Sequence, residues 1–550
     1  MIMMVVIPII KRCFQQSVII SPSMSVHGEP YIPASQSPLE LTTRVIVVGI
    51  LLGILMTAAN AYLGLYAGMT VSASIPAAVM SMIILRSLFK DVSILENNAV
   101  QTMASAGESL AAGIIFTVPA LLVIPNVWDE IQLLETTIIA LLGGLLGTMF
   151  TIALRRLFIV EEALPYPEGV ACREVLVAGE EGGEGAQAII YALGIGAIYG
   201  IVQKGFEATK HSVEAATSFF GTRIYAGMDL SVALLSVGFI VGIRIASFIF
   251  LGGMIGFGIL VPMYGLINGW GSAGSSVESF DIIWRQQVRY VGVGAMVLGG
   301  LYTLWSMRKT IITGMSKAIR TKSSSDEELL RTEIDLPMNK VFIFCGVLVV
   351  LTVLFYWSKT GSFILALAGG LFLAVTAFFF AAVAGYIAGV VGSSNSPVSG
   401  MTIATLLFTV VLVLLIGDGL LNLDTSTLML ATVLIASIVA SSAAIAGDVM
   451  QDLKTGHMVG ATPRIQQIAE IIGVITGALV IGPTLKLLHN AFGITQTACL
   501  EQAKIEFRDC DKALLAPQAE LIGEIVKGAF VGDVNLQMIL LGVVIAIVLI

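Results

Sequence analysis

Charge is what this chain has least of. Between Lys359 and Asp418 it runs 58 residues without one charged side chain, and Asp, Glu, Lys and Arg make up only 12% of its 550 residues. Soluble domains carry about twice that share, so a soluble fold is excluded. The 57% hydrophobic content and mean hydropathy of +0.94 describe a polytopic, all-α membrane protein embedded in a lipid bilayer. Histidine and cysteine are scarce too, with four and five residues. That excludes a disulfide framework, and no ligand spacing for a tight metal site exists. No metal or other cofactor is expected.

Further absences remove whole function classes. No G-x-x-x-x-G-K-[ST] loop is present to cradle phosphates, and the run Gly179-Glu-Glu-Gly-Gly-Glu-Gly185 would repel them, so a nucleotide-driven pump is excluded. Two glycine-aspartate pairs, Gly417-Asp418 and Gly447-Asp448, evoke intramembrane aspartyl proteases. Leu415 and Ile445 stand where the first glycine of G-x-G-D would be, and no Tyr-Asp pair accompanies them. No enzyme and no nucleic-acid partner are expected.

What remains is apolar sequence cut by polar breaks. A spanning helix needs about 20 apolar residues, and the runs predict about 14 spans: 45–66, 69–89, 108–128, 136–154, 186–203, 230–250, 252–268, 290–307, 341–357, 361–391, 398–417, 425–447, 467–488 and 534–550. The stretch 96–107 reads as a re-entrant limb or a short extra span. The domain plan is a loosely ordered tail at 1–40, a first bundle at 41–307, a cytoplasmic loop at 308–340, and a second bundle at 341–550 with a polar outer loop near 489–533. Met1–Ile10 is apolar, but Lys11 and Arg12 lie on the wrong side for a secretory signal. The final apolar run stops at Ile550, so the last helix ends at the membrane edge or the chain is shortened. With the N-terminus in the cytoplasm, the loop from Arg308 to Lys340 falls inside with seven basic residues against five acids. The loop carrying Asp129, Glu130 and Glu135 falls outside, which satisfies the positive-inside rule. Cys499 and Cys510 then share the outer side, either bridged or as free thiols.

Two segments interrupt the longest apolar runs. One is Asn60-Ala-Tyr-Leu-Gly-Leu-Tyr-Ala-Gly-Met-Thr-Val-Ser-Ala-Ser-Ile-Pro76; the other is Gly392-Ser-Ser-Asn-Ser-Pro-Val-Ser-Gly400. Gly68-Met69-Thr70-Val71 in the first recurs as Gly400-Met401-Thr402-Ile403 in the second, and each is expected to open an apolar helix. Paired interruptions are a pointer to a transport site at the interface of inverted repeats, because irregular backbone at membrane depth must be buried in protein or line a wet cavity. Asn60, Tyr62 and Thr70 at one break and Ser394, Asn395, Ser396, Ser399 and Thr402 at the other offer amide and hydroxyl groups to a polar solute. The alternative for each serine and glycine is close helix packing.

Acids inside spans are costly and therefore candidates for function. Glu108 is the first choice for a proton-coupling residue, with Asp448 beside it; the alternative for Glu108 is a water-facing position at the cytoplasmic end of a helix. Asp448, Gln451, Asp452 and Lys454 read as a charged turn after a span, in a gating role or a structural one. Gln101 and Glu168 join this gating or structural group, and Asp418 and Glu168 also suit loop and cap positions.

Five motifs in order resemble the oligopeptide transporter family, nearest its prokaryotic members and related to the yellow-stripe-like metal-chelate carriers. They are Asn60–Pro76, Asn98-Ala-Val-Gln-Thr-Met-Ala-Ser-Ala-Gly-Glu-Ser-Leu110, Leu164-Pro-Tyr-Pro-Glu-Gly-Val170, Gly392–Thr402, and Ala446-Gly-Asp-Val-Met-Gln-Asp-Leu-Lys-Thr-Gly456 with Gly460-Ala-Thr-Pro-Arg464. The resemblance implies about 16 spans and a proton- or other cation-coupled importer of small peptides or peptide-like metal chelates. It places such a carrier in the plasma or inner membrane, with a homodimer left open. A passive channel built from the same broken helices is the alternative.

Overall fold

The computed structural model describes residues 29–181 apart from 69 and 71; residues 212–219, 222–230, 246–270 and 275–292 with scattered positions among 191–308; and 330–550 apart from 397, 496–498, 500–512 and 532–534. Among the described residues, nine helices are long and apolar enough to cross a membrane. The first half comprises α1 (Thr43–Ala67), α2 (Ser74–Leu88), α3 (Ile94–Thr117), α4 (Leu133–Arg155), α5 (Pro167–Glu181), α6 (Ala246–Asn268) and α7 (Ser276–Ile283). The second half comprises α8 (Met338–Thr360), α9 (Phe363–Val391), α10 (Val398–Val413), α11 (Thr425–Val459), α12 (Pro463–Phe492), α13 (Pro517–Val531) and α14 (Leu536–Leu549).

Two helices form the centre. The apolar windows of α3 and α11 are each 94% buried, against 11% for α6, so α3 and α11 are wrapped by protein while α6 presents its side chains outward. Around α11 pack α3, α4, α5, α9 and α10, while α12 lies against α3, α4 and α1. Small residues allow this density. A Cβ on Gly147 of α4 would stand 2.6 Å from the Ser442 carbonyl oxygen, and one on Gly477 of α12 would stand 2.6 Å from that of Gly107. Helices in lipid associate through such close van der Waals approach.

Polar ties fix the helix ends. Ser93 and Glu96 form a reciprocal capping box that starts α3. Arg44 at the start of α1 grips the same Glu96 with two nitrogens, at 2.9 and 2.6 Å. Arg155 at the end of α4 pairs with Asp335 at 3.0 Å ahead of α8, and Lys359 at the end of α8 pairs with Glu135 at the start of α4. The two helices therefore run antiparallel and are pinned at both ends.

Charged residues look like span ends when charge is counted along the chain, whereas in this fold neighbouring helices bury them and supply hydrogen bonds. Residues 96–107 are thus the first half of α3, neither a re-entrant limb nor a separate span, and Glu108 lies mid-helix with 2% exposure rather than facing water. Asp448 to Lys454 form no turn, because α11 continues to Val459. Residues 246–268 are one helix with no boundary after 250. The expected spans at 69–89 and 534–550 are the shorter helices α2 and α14. The described chain is mostly helical but not all-α, since Ser212–Phe219 (β1) and Thr222–Asp229 (β2) pair as an antiparallel hairpin.

Loops also prove more ordered than composition implies. Residues 29–40 are held in place: the Tyr31 and Ile32 amides donate to the Met458 and Val459 carbonyls at 3.1 and 3.0 Å, and Glu40 accepts from Thr462 and Arg331. The expected outer loop 489–533 contains α13, whose Leu521, Ile522, Ile525 and Val526 join the main core. Residues 1–28 and Cys510 lie outside the described residues; Cys499 is disulfide-bonded. The expected spans 186–203, 230–250 and 290–307 run through positions outside the described residues.

The matched tetrapeptides occupy different settings. Gly68 ends α1 in a left-handed conformation, while Gly400 lies in the first turn of α10. This four-residue likeness therefore gives an inverted repeat no structural support.

The close approach at Gly147 is open to test. Gly147→Ala is expected to lower the thermal unfolding midpoint of the detergent-solubilised protein, by the equivalent of about 1–3 kcal/mol of overpacking. Gly252→Ala, where the added methyl meets no atom within 4 Å among the described residues beyond its own helix backbone, is expected to leave it unchanged or slightly raised.

Candidate functional site

Both interruptions arrive at one place. Gly68 and Thr70 from the first and Ser393, Ser394, Ser396, Val398 and Ser399 from the second line a single cavity of about 140 Å³. Its remaining wall is Ala112 and Phe116 of α3 with Ala444 and Asp448 of α11. The α1–α2 break is short because Gly68 closes α1 at φ 70° and α2 does not begin until Ser74. The second break turns at Gly392, φ 95°, where a Cβ would stand 2.6 Å from Glu168 Oε1. Only glycine meets both demands there.

Glu168 holds this second break. It sits in the first turn of α5, and its carboxylate accepts from Ser393 Oγ at 2.5 Å and from the Ser394 amide at 3.1 Å. The strand of chain before it is itself strained: Ala163 and Tyr166 both have φ 47°, a costly value outside glycine. Tyr166 is fully buried, its amide donating to the Gly389 carbonyl at 2.8 Å and its hydroxyl to that of Gly385 at 3.1 Å. Gln451 ties the same region to α11, accepting from the Gly169 amide at 2.8 Å and donating to the Ala388 carbonyl at 2.7 Å. Glu168 and Gln451 are thus structural cross-links between α5, α9 and α11.

Behind the cavity lies a polar strip. Asp448 Oδ2 accepts from Ser109 at 2.6 Å, with Ser72 and Ser393 beside it, while Oδ1 has no donor. Asp452, one turn on, accepts at Oδ1 from Ser74 at 2.7 Å and from Gln101 at 2.5 Å. Glu108 accepts from Asn60 and, at 3.2 Å, from the Ala73 amide, which secures the start of α2. Lys454, on α11 with Asp448 and Asp452, is buried at 3% exposure.

The sequence candidates therefore divide. Thr70, Ser394, Ser396, Ser399 and Asp448 line the cavity. Asn60 is bound to Glu108 instead, and Tyr62 stacks on Tyr66. Thr402 bonds back to the Val398 carbonyl within its own helix. Asn395 lies in the short turn at Ser393–Asn395, and its side chain is outside the described residues. Asp418 ends a widened turn after α10, away from the cavity lining. Reasoning from sequence missed Ser74, Ser109 and Glu470; for Glu470 the signal was present, an acid inside the apolar run 467–488.

A profile described as OPT oligopeptide transporter protein matches residues 40–550 of this chain. The chain belongs to the oligopeptide transporter family. It is similar to a protein of Haemophilus influenzae named as an oligopeptide transporter, with 36% identity over 504 residues, covering 89% of this chain and 78% of that protein. It is also similar to two proteins of Oryza sativa subsp. japonica. One, named as a metal-nicotianamine transporter, is 22% identical, over 83% of this chain and 71% of its own. The other, named as an iron-phytosiderophore transporter, is 21% identical, over 83% and 73%. As a member of the oligopeptide transporter family with these apolar helices, the chain is a multi-pass membrane protein.

Removing the acceptor at residue 168 should loosen the second break. In Glu168→Ala the Ser394 amide and Ser393 hydroxyl lose their partner, at a cost of about 1–3 kcal/mol. Hydrogen exchange at 392–396, followed by mass spectrometry, is expected to accelerate; unchanged protection would mean that Glu168 does not hold the segment.

Proposed function

We propose that this chain is a secondary active importer of small oligopeptides or peptide-like metal chelates, driven by protons and working by alternating access. The observation that carries this reading is the convergence of both interrupted segments on one cavity that also presents Asp448. The printed names of the relatives supply the substrate classes, and both are zwitterionic or polyanionic solutes with amine and carboxylate groups. The cavity offers matching chemistry. The N-terminus of α10 supplies partial positive charge to a carboxylate, the hydroxyls of Thr70, Ser394, Ser396 and Ser399 supply neutral hydrogen bonds, and Asp448 supplies an acceptor for an ammonium group.

Asp448 serves as the proton-exchanging group at the cavity. Glu108 is the second proton-coupling residue and is placed to transmit its state, because the same carboxylate that would titrate anchors Asn60 of α1 and the Ala73 amide at the head of α2. Protonation would weaken both bonds and free the first break to move. The carrier is placed in the plasma or inner membrane with its N-terminus in the cytoplasm.

Uptake into proteoliposomes tests this. With an inward proton gradient, labelled short peptides or a ferric amino-acid chelate should accumulate above equilibrium, and without it they should only equilibrate. Glu108→Gln should abolish accumulation while binding persists, and Asn395→Ala should weaken binding by roughly tenfold, the loss of about one hydrogen bond. Equilibration that ignores the gradient would instead indicate a passive channel.

A further inference from the structure

Glu470 of α12 is fully buried, and neither carboxylate oxygen has a hydrogen-bond partner. It lies on the face of α12 turned to α3 and α11. One turn earlier, Gln466 donates to the Asp452 carbonyl at 2.5 Å and to Thr102 Oγ1 at 3.1 Å; three residues later, a Cβ on Gly473 would stand 3.0 Å from Ala106 of α3. Residues three and four apart share a helix face, so Glu470 is held between these contacts. The charged groups that act on it are Asp452 and Asp448, both on α11. Asp452 is itself fully buried with Oδ2 unpartnered, and Oε1 of the adjoining Gln101 is unpartnered as well.

Among the described residues no basic side chain forms an ion pair with Glu470, Asp452 or Asp448. Two negative charges buried off the cavity, at Glu470 and Asp452, would each cost several kcal/mol. Something positive must reside there. No group of three or more His, Cys, Asp or Glu able to hold a metal ion occurs among the described residues, and a single proton is the smallest charge that relieves two buried carboxyls beside an amide. Neither Glu470 nor Asp452 lines the cavity, yet hydroxyls lead from Asp452 toward Asp448 at the cavity: Ser74 donates to Asp452, Ser72 donates to Ser74 at 3.3 Å, and Ser72 lies beside Asp448.

We propose that Glu470 and Asp452 form a second proton-holding site, behind the cavity and out of reach of substrate, which stores a proton that crosses with each transport cycle. Its transport role rests on the carrier reading above. The O–H bond on a carboxyl oxygen forms as the proton arrives from the cavity side and breaks as it leaves, with no other bond changed.

Two measurements on the full chain in proteoliposomes test it. Infrared difference spectra recorded across a step from neutral to alkaline pH should show a protonated carboxylic-acid band in the wild type that Glu470→Gln lacks. Coupled flux measurements should show Glu470→Gln carrying a proton fewer per substrate, with substrate exchange in the absence of a gradient retained. An unchanged carboxyl band, or an unchanged proton-to-substrate ratio, overturns the proposal. If the wild type shows no proton-driven uptake, the carrier reading fails while the infrared band still decides whether the site holds a proton. Should Glu470→Gln not assemble, Glu470→Asp is expected to shift the band, and an unshifted band would overturn the assignment.

Discussion

A carboxyl group inside a membrane protein must be met by donors or by a proton, because lipid offers neither. Asp448 is where that demand organises this fold. Its Ser109 donor sits on α3, so α3 and α11 must lie close, and small residues such as Gly113 against Ser441 permit it. A Cβ on Gly447, which precedes Asp448, would make only ordinary contact with Ser393, at 3.6 Å. The aspartate faces the cavity that the second break lines.

The same logic explains which elements are rigid and which are free to respond. Glu168, Gln451 and Tyr166 fasten the second break to α5, α9 and α11 through bonds that leave Ser396 Oγ without a partner among the described residues. Among the described residues, the first break is tied through the Ala73 amide on Glu108 and Ser74 on Asp452. Each of those ties ends on an acid. A change in protonation at Glu108 or Asp452 would therefore act on the first break directly, and the second break is likewise held by a carboxylate, that of Glu168.

Much of this was legible in the sequence. Long charge-free runs gave α9 and α10, and a nearly charge-free run gave α12, within a few residues, and both interruptions were recognisable from glycine, proline and polar residues at membrane depth. Acids inside helices were the main source of error. Glu96, Glu108 and Asp448 look like span ends when charge is counted along the chain, and only tertiary partners such as Arg44 for Glu96 reveal them as interior. Amphipathic connections misled in the same way: α5 and α13 carry enough charge to read as loops, yet their apolar faces complete the core. The glycines of the two matched tetrapeptides differ in setting, Gly68 at a helix end and Gly400 at a helix start.

The account's central claim is that the two breaks enclose one substrate site. Single cysteines at Thr70 and Ser399, one on each break, would be labelled with a maleimide in the presence and absence of a transported peptide or chelate. The account predicts that substrate protects both positions over the same concentration range; protection of one with unhindered labelling of the other, while substrate remains bound, would contradict it.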